Sequence, residues 1–215
     1  MSVLNTKRSY LKAEDRRSQI LDVAKTVFAK LGYHTANIAD ICKAASIGRG
    51  TLYQYFQNKR DVLLAVVDQI CARIQTTLAS REPIPKIELS KVPTALIVAF
   101  SSARLKEVLD AIFADEEALR LVLREARGLD GGIDAVISRI DALLLGAIEG
   151  DLRAAQESGF IRAVDPKLAA LFILGGIEKV FLAHISSHER PDLEKLIEKI
   201  HELELFGLLT EEVRR

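Results

Sequence analysis

A short stretch in the first third of the chain carries side chains that could hydrogen-bond to, or stack on, nucleic-acid bases. Leu52 and Phe56 are four residues apart, so a helix over this stretch would bury both on one face. The other positions then point outward: Arg49, Gly50, Thr51, Tyr53, Gln54 and Tyr55. Arginine matches the two acceptors of guanine, and glutamine matches the donor and acceptor of adenine. The pattern therefore predicts a helix that reads bases, and the side chains expected at or near base edges are Arg49, Thr51, Gln54 and Tyr55.

Such a helix needs a second helix to hold it. Asn37 is placed to cap a helix, with Asp40 three residues later in the capping-box position. Apolar residues then recur at helical spacing, at Ile38, Ile41, Cys42 and Ala45. The sequence Ser46-Ile47-Gly48 turns the chain before the second helix begins. Two short helices joined by a turn of a few residues form the helix-turn-helix unit that enters a DNA major groove.

Basic and polar residues around this unit are suited to phosphate oxygens. Lys59 lies in the first turn of the next helix, where the helix dipole alone would disfavour a cation, so a nearby phosphate would explain its presence. Tyr53 is expected to contact the backbone as well, helped by Asn37 and Lys43 from the preceding helix. The complete predicted DNA-binding set is Asn37, Lys43, Arg49, Gly50, Thr51, Tyr53, Gln54, Tyr55 and Lys59.

The charge distribution favours a nucleic-acid partner at one end of the chain. The net formal charge of the whole chain is zero. Residues 1–60 contain eleven Lys and Arg against four Asp and Glu, a net of +7, so the remainder carries −7. A basic head on an acidic body is the asymmetry that phosphate binding by the head requires.

The stretch from Arg17 to Leu63 resembles the DNA-binding domain of the TetR (tetracycline-repressor-like) family of bacterial regulators. The matching positions are Ile20, Ala24, Phe28, Gly32-Tyr33, Ile38, Ile41, Ala45, Thr51-Leu52-Tyr53, Tyr55-Phe56, Lys59 and Leu63. The resemblance implies a phosphate contact for Lys59 and a homodimer formed by the last two helices as a four-helix bundle. The family usually has glycine at the turn and Ser or Thr at the cap of the second helix. This chain has Ser46 at the turn and Gly48 at the cap, as if the two were exchanged.

Composition and periodicity predict an all-α fold of about nine helices. The chain has 215 residues, 49% of them hydrophobic, and no Trp. We expect a three-helix head in residues 1–60, joined by a long helix to a ligand-binding and dimerisation body in residues 61–215. Residues 1–16 lack apolar periodicity but carry four basic residues, which indicates a tail that is disordered in the free protein and acts as an arm on DNA. Those residues are Lys7, Arg8, Lys12 and Arg16.

Beyond the head, apolar periodicity predicts a long helix over residues 59–78 and five more helices. Their expected ranges are 94–113, 115–126, 133–157, 166–184 and 191–209. Three prolines place a loop between Ser80 and Pro93. The helix opened by Asp165-Pro166 is apolar on every side, and the last helix has an apolar stripe of its own. This surplus of apolar surface predicts a homodimer, and the alternative is that both helices are intramolecular core.

The sequence contains no recognisable catalytic constellation. Walker, Rossmann, HExxH and nucleophile-elbow motifs are absent, and the four histidines show no metal-ligand spacing. Cys42 and Cys71 each fall on an apolar helical stripe, which favours small buried hydrophobes in a reducing cytoplasm. We therefore expect no enzyme activity, no metal and no cofactor. The candidate polar groups of a ligand pocket in the body are Arg104, Glu178 and Lys179, although for each one alone snorkelling or a salt bridge at the interface is the favoured explanation.

These patterns together predict a cytoplasmic transcriptional regulator. The favoured hypothesis is a homodimeric, ligand-responsive repressor that binds a palindromic operator, with an unknown small-molecule effector and no membrane association. A second hypothesis keeps the DNA binding without a ligand, as in a chromosome-organising protein. A third, from a different class, is a small-ligand carrier or an enzyme whose helical head is incidental.

Overall fold

The computed structural model describes residues 12–82, 84, 92–123, 128–129, 131–187, 192 and 194–200, and the regular elements in these ranges are helices. Their order is α1 (Ala13–Leu31), α2 (Ile38–Ala44), α3 (Arg49–Tyr53), α4 (Lys59–Ala79), α5 (Thr94–Phe113), α6 (Glu116–Leu121), α7 (Gly131–Glu157) and α8 (Pro166–Ser187). Residues 194–200 are helical as well and are called α9. The predicted all-α class is confirmed.

Most predicted helices are found within a few residues of their expected ends. The ranges of α5 and of the long helix α4 agree with the prediction, and α8 continues three residues past the predicted end at 184. The predicted last helix is confirmed for 194–200, and the rest of its predicted range lies outside the described residues. The predicted helix over 115–126 is confirmed as α6, with residues 122–123 continuing in a wider turn.

The first helix starts four residues earlier than predicted, so the expectation of an unstructured tail up to residue 16 is wrong in its last part. Residues 13–16 belong to α1, with Glu14 and Asp15 in its first turn, where the helix dipole favours acidic side chains. Arg16 donates from Nη1 to Oε1 of Gln19 at 2.5 Å within the helix. Lys12 is the N-cap residue of α1, and the two remaining basic residues of the predicted arm, Lys7 and Arg8, lie outside the described residues.

Helices α1, α2 and α3 form a head around a shared apolar core. Leu52 and Phe56 face inward, as predicted, and both are buried together with Ile20, Phe28 and Ile41. Gly32 ends α1 with φ of 78°, and its N–H donates to the carbonyl of Phe28 at 2.9 Å. Because α2 and α3 bury only a few residues each, the orientation of α3 depends on this common core.

Helix α4 joins the head to the body and packs on both. It contacts α1 on the head side and α5, α6 and α7 in the body. Its buried residues run almost its full length, from Val62 to Ile74. One apolar cluster therefore extends from α1 through α4 to α6 and α7 without a break.

Helix α4 is also long and apolar enough, by length and composition alone, to cross a membrane. Asp68 and Arg73 interrupt it, and its apolar side chains are buried against the helices around it. A core helix of this kind meets the same length and composition test.

The body is completed by two smaller apolar clusters. Helices α5, α6, α8 and α9 meet around Leu109, Phe113 and Phe181, and the rings of Phe113 and Phe181 pack edge to face at 4.6 Å between centroids.

Helix α8 begins as predicted, because Oδ1 of Asp165 accepts hydrogen bonds from the N–H groups of Lys167 and Leu168. Cys42 and Cys71 are buried free cysteines, as expected.

The turn between α2 and α3 has the predicted exchange of Ser46 and Gly48. Ser46 has φ of 53°, and it is the one non-glycine residue with positive φ in the described part of the chain. Gly48 is the N-cap of α3, in extended conformation and without a side-chain acceptor for the free N–H groups. A left-handed serine is strained, and a glycine cap leaves those N–H groups to the solvent.

We expect Ser46→Gly to stabilise the protein, because glycine adopts positive φ without steric conflict. The free energy of unfolding should rise by about 0.5–1 kcal/mol, measured by urea denaturation of the full chain. The matched control is Ser18→Gly within α1, where glycine has poor helix propensity and the free energy should fall by roughly 0.5 kcal/mol. A destabilising effect at Ser46 would mean that the serine side chain has a local role that outweighs the strain.

Candidate nucleic-acid interface

The supporting helix α2 is fixed by a complete capping box. Oδ1 of Asn37 accepts hydrogen bonds from the N–H groups of Ala39 at 2.8 Å and Asp40 at 3.1 Å. In return, the N–H of Asn37 donates to Oδ2 of Asp40 at 2.9 Å. The cap uses the oxygen of the Asn37 side chain and leaves its NH₂ group to donate elsewhere. The predicted capping pair is therefore confirmed, and Asn37 is still able to contact phosphate.

Helix α3 presents most of the predicted reading residues to the outside. Arg49, Gly50, Tyr53 and Gln54 are exposed, with Tyr53 at 52%, and Thr51 is half-buried. Tyr55 differs from the prediction, because it is half-buried and packs against the head core. The residues that the structure brings together on the outer face of α3 are therefore Arg49, Gly50, Tyr53 and Gln54, with Thr51 beside them.

Gly50 has no structural requirement to be a glycine. A Cβ built at this position would meet nothing within 4 Å, and its φ is not in the left-handed region. Glycine inside a helix destabilises it relative to alanine by about 1 kcal/mol. No contact in the described part of the chain compensates for this loss, but a partner whose backbone approaches α3 closely would.

Lys59 makes contacts that the sequence did not predict. Its ammonium donates to the carbonyl oxygens of Tyr33 at 2.6 Å, Ala36 at 2.8 Å and His34 at 3.2 Å. The same ammonium lies 4.4 Å from the centroid of the Tyr33 ring. These carbonyls use all three ammonium protons, and they explain the cation at the start of α4 without a phosphate. Lys59 therefore ties the α1–α2 loop to α4 in this structure.

Burial and charge leave the head without a reactive thiol. Burial raises the pKa of the Cys42 thiol, and the nearby positive charge of Arg49 only partly offsets this effect. The thiol is therefore protonated at neutral pH, as expected for a small buried hydrophobe. The described residues contain no group of three or more His, Cys, Asp or Glu side chains that could hold a metal ion.

The three predicted pocket residues differ in their burial and contacts. Arg104 forms a bidentate ion pair with Asp151, at 2.8 Å and 3.1 Å, and donates to the carbonyl of Glu82 at 2.9 Å. Arg81 donates to the carbonyl of Arg104, and its Nε lies 3.5 Å from Glu107. Arg104 thus joins the end of α4 to α5 and α7. This contact is the ion pair that was expected as the alternative to a pocket role.

The two other pocket candidates are on α8. Glu178 is half-buried and Lys179 is exposed. Neither residue is brought next to Arg104 by a contact that the structure shows, so a pocket role for the three together stays a prediction.

Sequence reasoning missed a charged contact between the head and the body. Lys25 is the one charged residue that is buried in the described part of the chain, and it pairs with Asp115 at 2.5 Å. The available signal was weak: Lys25 follows Leu21 by four residues and precedes Phe28 by three, so it borders the apolar stripe of α1. No local pattern links it to a residue 90 positions away.

Comparison with known proteins gives a consistent result. Residues 20–66 match the sequence profile of "Bacterial regulatory proteins, tetR family". The chain is 27% identical over 192 residues to the fatty acid metabolism regulator protein of Bacillus subtilis, covering 88% of this chain and 94% of that protein.

Two solved structures resemble the chain over nearly its full length. The fatty acid degradation regulator FadR from Bacillus halodurans has a TM-score of 0.68 at 26% identity, covering 92% of this chain and 98% of that one. FadR from Bacillus subtilis in complex with stearoyl-CoA has a TM-score of 0.64 at 25% identity, covering 86% and 96%. The likeness therefore extends beyond the head to the body.

The contacts of Lys59 and Lys43 lead to opposite expectations for two matched substitutions. Lys59→Met should weaken binding to a palindromic duplex from upstream of the gene with little change in salt dependence. The substitution removes the hydrogen bonds that hold the α1–α2 loop and does not remove a phosphate contact. It should also lower the free energy of unfolding by about 1–3 kcal/mol, since three carbonyls lose a charged donor. Lys43→Met, at an exposed position, should reduce the slope of log Kd against log salt by about 1.8, which is about 0.9 for each of the two copies on a palindromic duplex, and leave stability unchanged.

Fluorescence anisotropy over a salt series and urea denaturation measure both quantities. A drop in the salt slope for Lys59→Met without loss of stability would show that Lys59 leaves the three carbonyls and contacts a phosphate on DNA.

Proposed function

The chain belongs to the TetR family of bacterial regulators, and we propose that it is a homodimeric repressor that binds a palindromic operator and is released by a long-chain acyl-CoA. The observation that carries the DNA-binding part is the outer face of α3, with exposed Arg49, Gly50, Tyr53 and Gln54 on a capped helix-turn-helix unit. Packing within the described part of the chain does not account for these exposed side chains. A partner with hydrogen-bonding edges and a nearby polyanionic backbone accounts for them.

The proposed roles within the interface follow from position and chemistry. Arg49 and Gln54, at the two ends of α3, suit guanine and adenine, and Thr51 and Tyr55 lie near the bases. Tyr53, Asn37 and Lys43 position the phosphate backbone. Lys59 acts on the same surface through the α1–α2 loop, whose carbonyls it holds.

The homodimer is supported by an apolar face on α8 that nothing in the described part of the chain covers. Phe172 is 83% exposed, Leu168 is 66% exposed, and Leu171 is exposed beside them. These positions recur every three to four residues, so they lie on one face of the helix. Gly175 and Gly176 continue that face, and a Cβ at either position would meet nothing within 4 Å. A second copy of α8 could approach closely at such a face.

A twofold dimer also matches a twofold operator. The two reading helices of a dimer must enter successive major grooves, which are separated by about 34–36 Å. A ligand that alters the spacing of the heads would therefore weaken operator binding by shifting the protein to a state that fits the DNA poorly. The apolar body, with three clusters built from α4 to α9, is the part in which such a ligand would bind.

The effector class is proposed from the relatives. One is a fatty acid metabolism regulator and another is a structure in complex with stearoyl-CoA, and both align with the body of this chain. A long acyl chain is suited to an interior built from Leu, Ile, Val and Phe, since its transfer from water is favourable by about 0.8 kcal/mol for each buried CH₂. Cytoplasmic localisation is proposed on the same basis, since both the DNA and acyl-CoA are there.

We expect Phe172→Lys to separate the dimer, because a lysine on the exposed apolar face of α8 places two like charges across the twofold axis. Analytical ultracentrifugation should show a monomer at a concentration where the native chain is a dimer. Operator affinity should fall at least tenfold, since a monomer contacts only one half-site.

The matched control is Leu96→Lys on α5, which replaces another exposed apolar residue, 61% exposed, outside α8. This variant should remain a dimer. If it separated and Phe172→Lys did not, the dimer interface would include α5 rather than α8.

We expect stearoyl-CoA to release the protein from its operator. At saturating ligand, the Kd for the duplex should rise by about 5–150-fold, the usual range of allosteric coupling. Coenzyme A and stearate, tested separately by anisotropy, should have little effect, because neither combines the acyl chain with the nucleotide headgroup.

Each other result selects a different hypothesis. Release by stearate alone would identify a free fatty acid as the effector. Salt-dependent operator binding with no response to any of the three compounds would favour a regulator that needs a different ligand or none. Absent or salt-independent binding would contradict the regulator itself.

A further inference from the structure

The head and the body are joined by a buried ion pair as well as by α4. Nζ of Lys25 in α1 lies 2.5 Å from Oδ2 of Asp115, immediately before α6. Lys25 is only 8% exposed and the Asp115 side chain 14% exposed. Asp22, at 2.7 Å, is a second and more exposed partner of the same ammonium. A buried cation of this kind depends on its partner, because an unpaired charge in the interior is strongly destabilising.

The carboxylate of Asp115 is attached to the first turn of α6. Oδ1 of Asp115 accepts a hydrogen bond from the N–H of Ala118 at 3.1 Å and so caps α6, while Oδ2 holds Lys25. A second bridge lies beside it, where Oγ1 of Thr26 donates to Oε2 of Glu117 at 2.8 Å. A shift of the first turn of α6 therefore changes both contacts between the body and α1 at once.

Lys25 keeps its positive charge near neutral pH. Burial alone lowers the pKa of Lys25, but the hydrogen bonds to Asp115 and Asp22 and their negative charges outweigh that effect and raise it. The ammonium is therefore charged at neutral pH, and the contact is lost only at alkaline pH.

A second cation is already close to Asp115. Nη1 of Arg73 in α4 lies 3.9 Å from Oδ2, the oxygen that pairs with Lys25. Nε and Nη2 of Arg73 are buried and have no hydrogen-bond partner in the described part of the chain. Buried guanidinium donors without partners are rare in folded proteins, so these two require an explanation. A small movement of Asp115 toward α4 would satisfy them.

We propose that Lys25 and Asp115 are positioning residues that hold the head against α6 in the DNA-binding state, and that Asp115 transfers from Lys25 to Arg73 when an effector occupies the body. The effector step rests on the proposed function. The carboxylate has one position and two competing cations, one in the head and one in the connecting helix. In the first state the buried ion pair fixes α1 to the start of α6, and in the second α1 has lost this ion pair.

The competition is tested first without any ligand. Lys25→Met should raise the operator Kd of the full-length dimer at least tenfold, because Asp115 is then left to Arg73. In an Arg73→Met background the same substitution should raise it no more than about threefold, since the competing cation is gone. Equal increases in both backgrounds would overturn the proposal, because independent sites give additive effects.

The control for this cycle is Lys106→Met. Lys106 pairs with Asp110 at 2.7 Å on the exposed surface of α5 and does not contact the head. It should leave operator binding unchanged in both backgrounds. Thermal unfolding of each variant shows whether the chain is folded, and Lys25→Gln replaces Lys25→Met if the latter is not, because a neutral amide keeps a polar side chain in the buried site without the charge that competes with Arg73.

The second arm uses stearoyl-CoA as the probe. Arg73→Met should bind the operator within twofold of the native chain, yet the ligand-induced rise in Kd should fall at least fivefold, with stearoyl-CoA binding itself unchanged by calorimetry. In an Asp115→Asn background, Arg73→Met should have no further effect on this rise. A full native response in Arg73→Met would overturn the transfer. If the native chain does not respond to stearoyl-CoA, the proposed effector class fails, and the ligand-free cycle still decides whether Asp115 has two competing partners.

Discussion

The structure depends on α4 packing in two places at once. Its first half, including Val62 and Leu63, is buried with the head, and its second half, including Ile70 and Ile74, is buried with the body. Because protein interiors are close-packed, a displacement of such a helix cannot be absorbed by empty space around it. The orientation of α3 is therefore coupled to the packing of the body, and ion pairs such as Lys25–Asp115 refine a coupling that the apolar core already provides.

Local patterns were sufficient to predict most of the helices. Apolar spacing placed α5 and α4, and capping chemistry placed the starts of α2 and α8 at Asn37 and Asp165. These signals act over one or two turns, so the residues that carry them are neighbours in the sequence. The start of α1 was missed because residues 13–15 are exposed and Arg16 is charged, so a helix there shows its dipole preference but no apolar stripe.

The candidate interface was predicted as a set of residues, but not as a set of contacts. The outer face of α3 follows from the inward positions of Leu52 and Phe56, and this inference needs only helical geometry. The partners of Lys59 are carbonyls of residues 33, 34 and 36, which become neighbours only after α1 and α4 have packed. Lys25 and Arg73 raise the same difficulty, because a basic residue near an apolar stripe does not reveal whether it reaches the solvent or a buried carboxylate.

Two exposed helix faces, one on α3 and one on α8, are not explained by the packing of the described chain. Gly50 on α3 and Gly175 and Gly176 on α8 have open space where a side chain would be, so the packing of the described chain does not account for them. Each weakens its helix, yet each lies in a row of exposed residues whose chemistry differs between the two faces. The row on α3 is polar and suits DNA, whereas the row around Phe172 is apolar and suits a second α8. Both faces thus share one feature, a glycine that leaves room for close approach, and in the proposed function the side chains around the glycines determine which partner each face binds.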